Sequence, residues 1–345
     1  MPPSEQLQIL DVTVRDGGYL INHNFPPDKV AAIAKGMFEA GVTHAEISHG
    51  VGIGGKMMGF PAVADDEELL TAAKQAAPDL KISIFISPVE ISLPILPGLL
   101  EYFDIGRVGV SVNQVGDAAK YIQKLKKYEK TASVQLTRCH ALPPEEAAKA
   151  AKAAEEMGAD IVYVVDTFGS MLPEETRSYV QAVRAEIKAK VGFHGHNTMG
   201  LAVPNSLAAW DAGADWIDAS LLGVGRGSGN AKLESIVFFL QSRGLMKDVN
   251  LERLAGLSSA VVLPLFVHPP SAHYSELLLG LEKLDFSPAS FLDLCAHAAG
   301  VSLEEFLMQA HHKMAGSLLL TEEHLKLTLA EYGVDYQKLL EVLKH

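Results

Sequence analysis

The stretch EMGADIVYV, residues 156–164, joins the end of a predicted helix to a predicted strand through a glycine and a polar step. The same order of residues recurs in EAGVTHAEI (39–47) and in DAGADWIDA (211–219). Glycine ends a helix because it readily adopts the left-handed backbone conformation, and the apolar run that follows is typical of a buried strand. The repeat therefore predicts a chain of alternating helices and strands.

Eight strand candidates follow one another along the first 250 residues, and amphipathic, alanine-rich stretches separate them. The predicted helices begin with proline and acidic residues and end with glycine, as helix termini require. Eight such units over about 245 residues indicate an α/β protein with a (β/α)₈ TIM barrel. The alternative, a doubly wound open sheet, usually has fewer strands and a glycine-rich loop after its first strand, whereas here that loop follows the last. The strand candidates span residues 7–14, 43–48, 80–87, 104–112, 131–138, 160–166, 190–196 and 215–223.

After Asn250 the pattern predicts helices and no convincing strand. The chain therefore divides into a TIM-barrel catalytic domain over residues 1–250 and a helical C-terminal domain over residues 251–345. A helical domain appended to a barrel completes the site, forms a dimer contact or binds a partner, and the sequence does not choose among these. The predicted helices span residues 271–283, 289–299, 302–314, 321–331 and 334–344.

The composition excludes several classes of partner. The chain has 29 basic and 42 acidic residues, so its formal net charge is −13. This charge argues against nucleic acid and against an anionic membrane surface. No basic-then-apolar signal opens the chain, and no apolar run is long enough to span a bilayer. Cys139 and Cys295 make no disulfide framework, so we expect a cytoplasmic protein in a reducing compartment.

Three potential metal ligands stand at the ends of two predicted strands. Asp16 ends the first strand, and His194 and His196 end the seventh. Active sites of barrels lie at the C-terminal strand ends, and two histidines at i and i+2 point to the same side of a strand. Two imidazoles and a carboxylate make a three-ligand divalent-metal site with open positions. The alternative is a pair of structural histidines that bind nothing.

The glycine-rich loop GVGRGSGNAKLE, residues 223–234, follows the eighth predicted strand. Its backbone is able to approach the centre of the barrel closely, and Asn230 offers an amide oxygen there. The alternative use of this loop is a phosphate cradle, which the last loops of barrels often form.

Five sequence blocks together resemble the metal-dependent TIM-barrel lyase and synthase superfamily that includes 3-hydroxy-3-methylglutaryl-CoA lyase. Their order and spacing are most similar to those of the 4-hydroxy-2-oxovalerate aldolases. The resemblance covers residues 8–245 well and the C-terminal helices only loosely. The blocks are DVTVRDG, EISHG, VVDTFGSM, GFHGHNTMGLAVPNS and DASLLGVGRGSGNAKLE.

This resemblance implies an aldolase or lyase that makes or breaks a carbon–carbon bond beside a 2-oxo acid, with a pyruvate enolate and an aldehyde as the two halves. It implies a divalent metal on Asp16, His194 and His196, with Mn²⁺ or Mg²⁺ favoured and Zn²⁺ or Co²⁺ as alternatives. It assigns enolate stabilisation to Arg15 and contact with the substrate carboxylate to Thr167. Barrels of this group often pair with an acylating aldehyde dehydrogenase, and we expect a homodimer.

The adjacency of Arg15 and Asp16 has a chemical reason in such an enzyme. Cleavage of a 4-hydroxy-2-oxo acid releases an enolate of pyruvate, whose negative charge must be held. A metal on Asp16 acts as a Lewis acid, and the Arg15 guanidinium is a preorganised donor to the same oxygen. Gly17 and Gly18 keep Cβ atoms away from the substrate. The alternative for Arg15 is an internal salt bridge with Asp16 or Glu46.

The sequence departs from the aldolase pattern in two places. Tyr19 stands where the aldolases carry a histidine that acts as the base on the 4-hydroxyl group, and a tyrosine is a poor base at neutral pH. In this interpretation Tyr19 acts as an acid, and His23 or His49 supplies the base through water. The alternative is that each of these histidines is a loop or core residue. The C-terminal tyrosine of the family also lacks a match, because Pro288 takes its place and Tyr274 is only a substitute from another element. These departures predict that the aldehyde or acceptor differs from that of the 4-hydroxy-2-oxovalerate aldolases.

Residue His49 also begins the loop HGVGIGGKMMGFP, which is either a flexible substrate loop or an ordinary long connection.

Two further functions stay open. A Claisen-type synthase joins an acyl-CoA to a 2-oxo acid, but its members usually carry Glu-Gln soon after the first Asp-Gly, where this chain has Gly18-Tyr19. Two histidines and a carboxylate also suit non-heme iron for oxygen activation, and a non-catalytic partner-binding barrel is the remaining alternative.

Overall fold

The computed structural model describes residues 7–266, 273–285, 290–314, 317 and 319–342. Eight parallel strands form a closed barrel in sequential order, and β8 pairs with β1 to close it. This confirms the predicted TIM barrel. The strands are β1 (Gln8–Asp11), β2 (His44–Glu46), β3 (Lys81–Ile86), β4 (Ile105–Ser111), β5 (Thr131–Thr137), β6 (Ile161–Asp166), β7 (Lys190–Gly195) and β8 (Trp216–Ala219).

Helices cover the outside of the barrel, and their apolar faces form one large buried cluster with the strands. Three of them begin with proline at the first helical position, where a missing N–H costs nothing. Gly41, Gly158 and Gly213 follow three helix ends with φ of 93°, 105° and 102°. These are the glycines of the repeated sequence phrase, so its interpretation is confirmed. The helices are α1 (Pro27–Glu39), α2 (Asp66–Ala76), α3 (Ser92–Ile95), α4 (Ala119–Lys127), α5 (Pro144–Glu156), α6 (Pro173–Glu186), α7 (Ala202–Asp211) and α8 (Leu233–Ser242).

The first strand is shorter than predicted. Both carboxylate oxygens of Asp11 are engaged by Thr13, which donates its N–H over 3.0 Å and its hydroxyl over 2.6 Å. These bonds turn the chain, since side chains of this type compete with the sheet for backbone groups. Arg15 and Asp16 therefore lie in the turn beyond β1 and not on its last residues, and a short 3₁₀ helix, Gly17–Ile21, follows them.

The C-terminal region is helical, as predicted, but its first part belongs to the barrel. Helix α9 (Leu251–Leu257) and the π-helical turn Ser258–Val262 bury Leu254 and Val262 in the same cluster as the barrel helices. A second buried cluster runs from Leu279 to Leu339. We infer that the helical domain begins after residue 266. Its helices are α10 (Tyr274–Glu282), α11 (Ser290–Ala299), α12 (Leu303–Lys313), α13 (Glu322–Glu331) and α14 (Tyr336–Val342).

None of the helices in the described ranges is both long and apolar enough to cross a membrane.

Candidate metal and substrate site

Asp16, His194 and His196 meet at the C-terminal end of the barrel. All three side chains are buried, and their potential ligand atoms lie within 4.8 Å of one another. Asp16 Oδ2 is 4.0 Å from His194 Nε2 and 3.9 Å from His196 Nδ1. These separations exceed hydrogen-bond length but suit three atoms that face one central cation. The structure thus brings the predicted ligand triad together.

The glycine-rich loop after β8 reaches this triad. Asn230 pairs with His196 in an isolated β-bridge, and its Nδ2 donates to Asp16 Oδ2 over 2.6 Å. A Cβ atom on Gly225 would lie 2.9 Å from the same carboxylate oxygen, so this approach requires glycine. Asn230 Oδ1 is buried and has no partner among the described residues. An unpartnered buried oxygen beside two imidazoles and a carboxylate fits a divalent cation, because such groups otherwise carry a desolvation cost.

The charges around Asp16 keep it ionised. Burial alone would raise the pKa of this carboxyl group, but Arg15 and the two histidines outweigh burial and hold the pKa below its usual range. Burial has the opposite effect on His196 and lowers its pKa to about 4. An ionised carboxylate and a neutral imidazole are the protonation states that bind metals.

A buried ion network orients the triad from below. Asp218 accepts a hydrogen bond from His194 Nδ1 over 2.8 Å, which leaves Nε2 of that ring free for a ligand bond. Arg107 forms salt bridges to Asp218 and, over 3.0 Å, to Glu46. Glu46 in turn accepts a hydrogen bond from Arg15 Nε over 2.5 Å. One chain of charges therefore connects the candidate metal ligand His194 to Arg15.

The alternative predicted for Arg15, a salt bridge with Asp16 or Glu46, exists with both partners. Arg15 Nη1 donates to Asp16 Oδ1 over 2.7 Å, and its Cζ lies 4.7 Å from the ring centroid of Phe85. Burial would lower the pKa of this guanidinium, but Glu46 and Asp16 raise it, so the group stays charged. The salt bridges fix Arg15 and do not remove it from the site, because it also lines the cavity next to the triad.

A cavity of about 100 Å³ lies against the triad. Thr167, for which the sequence predicts a substrate contact, lines this cavity. Its hydroxyl accepts a hydrogen bond from the backbone N–H of Arg138 over 2.8 Å. Tyr19 also lines it, and burial raises the pKa of its phenol above the usual value. Tyr19 therefore keeps its proton at neutral pH. The other lining residues are Arg15, Asp16, Phe85, Gln135, Thr137, Val165, His194, His196 and Arg226.

Neither His23 nor His49 lines this cavity. His23 packs edge-on against Tyr19 and lies 4.4 Å, centroid to centroid, from His49. Burial and His49 lower the pKa of His23 to about 4. Both ring nitrogens of His49 are near backbone groups, with Nε2 2.9 Å from the carbonyl oxygen of Pro61 and Nδ1 accepting from Val51 N–H over 3.3 Å. The structure thus uses His49 to hold its own loop, and its substrate contact stays a prediction.

Two further expectations have a structural outcome. Gly18 is not among the residues that line the cavity, and an added Cβ there would be 3.5 Å from His23 Nδ1. Its substrate contact stays a prediction. Tyr274 is largely exposed and donates its hydroxyl to Glu304, so it does not replace the family tyrosine at the cavity. Pro288 lies outside the described residues.

The sequence reasoning missed Arg107, Asp218 and Arg226. A signal for the first two was present, because each is a charged residue inside an otherwise apolar predicted strand. Such a residue must find a partner in the barrel interior. Arg226 gave no comparable signal, since a charged residue in a glycine-rich loop is ordinary.

Comparisons with known proteins identify relatives of this chain. A family model described as HMGL-like matches residues 105–261. An oxaloacetate decarboxylase of Mycobacterium tuberculosis is 34% identical over 315 residues, which cover 91% of this chain and 94% of that protein. A 4-hydroxy-2-oxovalerate aldolase of Moorella thermoacetica is 34% identical over 282 residues, which cover 80% of this chain and 82% of that protein.

A solved structure shows the same fold over nearly the whole chain. The carboxyl transferase domain of Rhizobium etli pyruvate carboxylase, determined with 3-hydroxypyruvate, has a TM-score of 0.76 and covers 96% of this chain and 61% of its own. At 19% identity this likeness concerns the fold alone. The two sequence relatives, each about one-third identical over at least four-fifths of both chains, carry the assignment. The chain belongs to the HMGL-like family.

Proposed function

We propose that this protein is a divalent-metal-dependent lyase that makes or breaks the C3–C4 bond of a 2-oxo acid, so that cleavage leaves the fragment with the 2-oxo group as an enolate. The observation that carries the proposal is the convergence of Asp16, His194 and His196 beside a fixed, charged Arg15 on one cavity. Two relatives carry the names of enzymes that act on 2-oxo acids, an aldolase and a decarboxylase. Both named reactions release an enolate.

The residues of the site have distinct tasks in such a reaction. Asp16, His194 and His196 would hold the cation, which supplies Lewis-acid stabilisation of negative charge on the 2-oxo oxygen. Arg15 offers a second positive charge to that oxygen, and its bonds to Asp16 and Glu46 orient it before the substrate arrives. Removal of one such preorganised donor typically slows turnover about 10²–10³-fold.

The finer proposal is an aldol cleavage of the class II type that yields pyruvate and an aldehyde, with Mn²⁺ or Mg²⁺ as the cation. The aldolase relative supports it. The cytoplasmic location, the homodimer and an acylating aldehyde dehydrogenase as partner remain predictions. The predicted role of His23 as base also remains a prediction, although the ring lies behind Tyr19.

A second candidate function is decarboxylation of a 2-oxo acid such as oxaloacetate. The titratable side chains that line the cavity are Arg15, Asp16, Tyr19, His194, His196 and Arg226, and none is a free base. Loss of CO₂ forms the same enolate without removal of a hydroxyl proton, and the protonated Tyr19 is then suited to donate a proton to the enolate carbon. The decarboxylase relative supports this candidate.

Hydrogen exchange tests the shared chemistry without knowledge of the second substrate. The protein loaded with Mn²⁺ is incubated with pyruvate in deuterated water, and the methyl signal is followed by NMR. We expect loss of the methyl protons with wild type and no loss above background with the metal-free protein. Absence of exchange at full metal occupancy would refute the proposed function. Oxaloacetate and a panel of aldehydes, added in turn, then distinguish the two candidates.

The remaining alternatives have their own readouts. Consumption of a 2-oxo acid that depends on an acyl-CoA would favour the Claisen-type synthase. Oxygen uptake after loading with iron would favour oxygen activation. Absence of both, together with exchange of the methyl protons, leaves the lyase.

A further inference from the structure

Arg226 occupies the boundary between two cavities. It lines the metal cavity, and it also lines an adjoining cavity between the barrel and helix α10. Among the residues that the structure describes, Thr167 and His196 are the others that line both cavities. A ligand group that extends from the metal toward the helical domain would therefore pass Arg226.

Arg226 shares its carboxylate partner with a second arginine. Arg226 and Arg138 both pair with Asp285, which lies just after the end of helix α10. This trio carries one excess positive charge, and the further carboxylate of Glu276 lines the outer cavity. Asp285 is nearly inaccessible to solvent, and although burial would raise its pKa, the two arginines hold the pKa below the usual value. The carboxylate is therefore ionised, and the excess is one charge and not two.

This excess charge faces the metal cavity through Arg226. Arg138 is absent from the lining of both cavities at the metal. Within the described part of the chain, the Arg226 guanidinium donates one hydrogen bond, from Nη2 to Asp285. Glu276 lines only the outer cavity, where its Oε2 accepts the backbone N–H of His273. Arg226 thus retains donors for an anion that enters from the metal side.

Arg15 does not compete for this role. Its Nε and Nη1 are already bonded to Glu46 and Asp16, and the proposed function engages it at the 2-oxo oxygen. A guanidinium recognises a carboxylate through parallel N–H donors, and it does so better than a lysine because its geometry is planar. The cavity therefore contains one arginine for the reacting carbonyl and a second arginine farther along.

We infer that Arg226 binds a second carboxylate of the substrate, so that the preferred 2-oxo acid is dicarboxylic. This inference rests on the proposed function, because the first carboxylate and the carbonyl are assigned to the metal side. It applies equally to a diacid that loses its second carboxylate as CO₂ and to a 4-hydroxy-2-oxo diacid that keeps it on the aldehyde product.

Ligand binding tests the inference apart from turnover. The Mn²⁺-loaded protein is titrated by calorimetry with 2-oxoglutarate and with 2-oxopentanoate, which share a five-carbon chain and differ in the terminal carboxylate. We expect wild type to prefer 2-oxoglutarate by about tenfold to a hundredfold, the range for a charge-assisted hydrogen bond. Arg226→Met should lose this preference and bind 2-oxopentanoate as wild type does.

Arg138→Met is the comparison variant, because it breaks the other ion pair of Asp285 and keeps the guanidinium that lines the metal cavity. Arg138 itself lines a separate cavity with Phe85 and Thr137. Arg138→Met removes the excess positive charge but keeps the Arg226 donors, so it should weaken the preference less than Arg226→Met does. Equal binding of both ligands by wild type, or the full wild-type preference in Arg226→Met, would overturn the inference. Pyruvate exchange measured on the same samples separates the two proposals. Exchange without ligand preference removes only the role of Arg226, whereas preference without exchange removes only the lyase.

Discussion

At the scale of single residues, Arg15 has a structural role in its ion pairs that can be separated from its proposed chemical role. Its ion pairs with Asp16 and Glu46 fix its position, and the proposed function assigns its charge and remaining donors to the substrate. Arg15→Ala should reduce turnover about 10²–10³-fold and leave the bound metal unchanged. Arg15→Lys keeps the positive charge but loses the planar set of guanidinium N–H donors, so we expect a turnover rate between those of wild type and Arg15→Ala. Turnover and metal analysis of both variants check this, and wild-type rates in Arg15→Ala would exclude Arg15 from the chemistry.

The metal ligands have natural controls within the same protein. His194→Ala and His196→Ala each remove an imidazole from the triad, so both should abolish tight binding of Mn²⁺. His49→Ala removes an imidazole that contacts its own loop and His23 outside the metal cavity, and it should retain the metal. Equilibrium dialysis followed by metal analysis gives the occupancy. Full occupancy in both triad variants would contradict the proposed centre, and loss in His49→Ala would show that the loop rather than the ligand set decides binding.

Tyr19 distinguishes the two candidate reactions. If the phenol donates a proton to the enolate, Tyr19→Phe should slow decarboxylation of oxaloacetate, since Tyr19 is the one phenol among the described residues that line the cavity. Tyr19→His restores the base of the aldolases and should raise activity on 4-hydroxy-2-oxovalerate. Steady-state rates on both substrates provide the measurement. Wild-type rates in both variants would mean that the side chain only packs against His23.

The sequence predicted the part of the site that depends on residue type and strand position. Asp16, His194 and His196 were found because ligands at strand ends must converge when a barrel closes. The places of His23 and His49 were not predictable, since a loop residue has no register that fixes its direction. Arg226 was missed for a related reason. Its importance arises from Asp285, which lies in another domain 59 residues away.

At the scale of elements, the end of β1 decides where the first ligands stand. Burial raises the pKa of Asp11 to about 7, although the hydrogen bonds from Thr13 act against it. The folded protein therefore holds this proton more tightly than the unfolded chain. The resulting stability is fully present below the unfolded pKa of 3.8 and is lost as the pH rises through about 7.

Asp11→Asn removes this titration and keeps the shape of the side chain. We expect the free energy of unfolding of the variant, relative to wild type, to increase as the pH rises from 4 to 7. Urea denaturation at several pH values measures both proteins. Parallel curves would show that Asp11 is ionised in the folded state and that Thr13 alone determines the turn.

The strand itself was predicted with the wrong end for a physical reason. Residues 12 to 14 are apolar or β-branched, so a pattern rule extends the strand through them. The side-chain bonds of Asp11 to Thr13 end it at Asp11 instead. Hydrophobic periodicity reports burial, and it does not report a local hydrogen bond that redirects a buried backbone.

At the scale of the whole molecule, the helical domain is part of the site. Asp285 reaches back to Arg226 and Arg138, and helix α10 lies against the loops that follow β6 and β7. The sequence predicted the helices but not this contact. An amphipathic face shows that a helix packs against something, but it does not identify the partner element. Five helices appended to a barrel are compatible with several arrangements, and only the fold selects one.

Gly280 in α10 makes this contact close. A Cβ atom there would lie 3.3 Å from both the carbonyl oxygen of Phe168 and Cγ2 of Thr198, so a larger side chain must push the helix away. Gly280→Val should destabilise the docked arrangement by about 1–3 kcal/mol, the usual cost of overpacking, and reduce turnover with it. Gly256→Val in α9 is the matched control, since a Cβ there has nothing within 4 Å. Urea denaturation and turnover of both variants give the answer. If Gly280→Val matches Gly256→Val in both measurements, helix α10 rests on the barrel without contributing to the site.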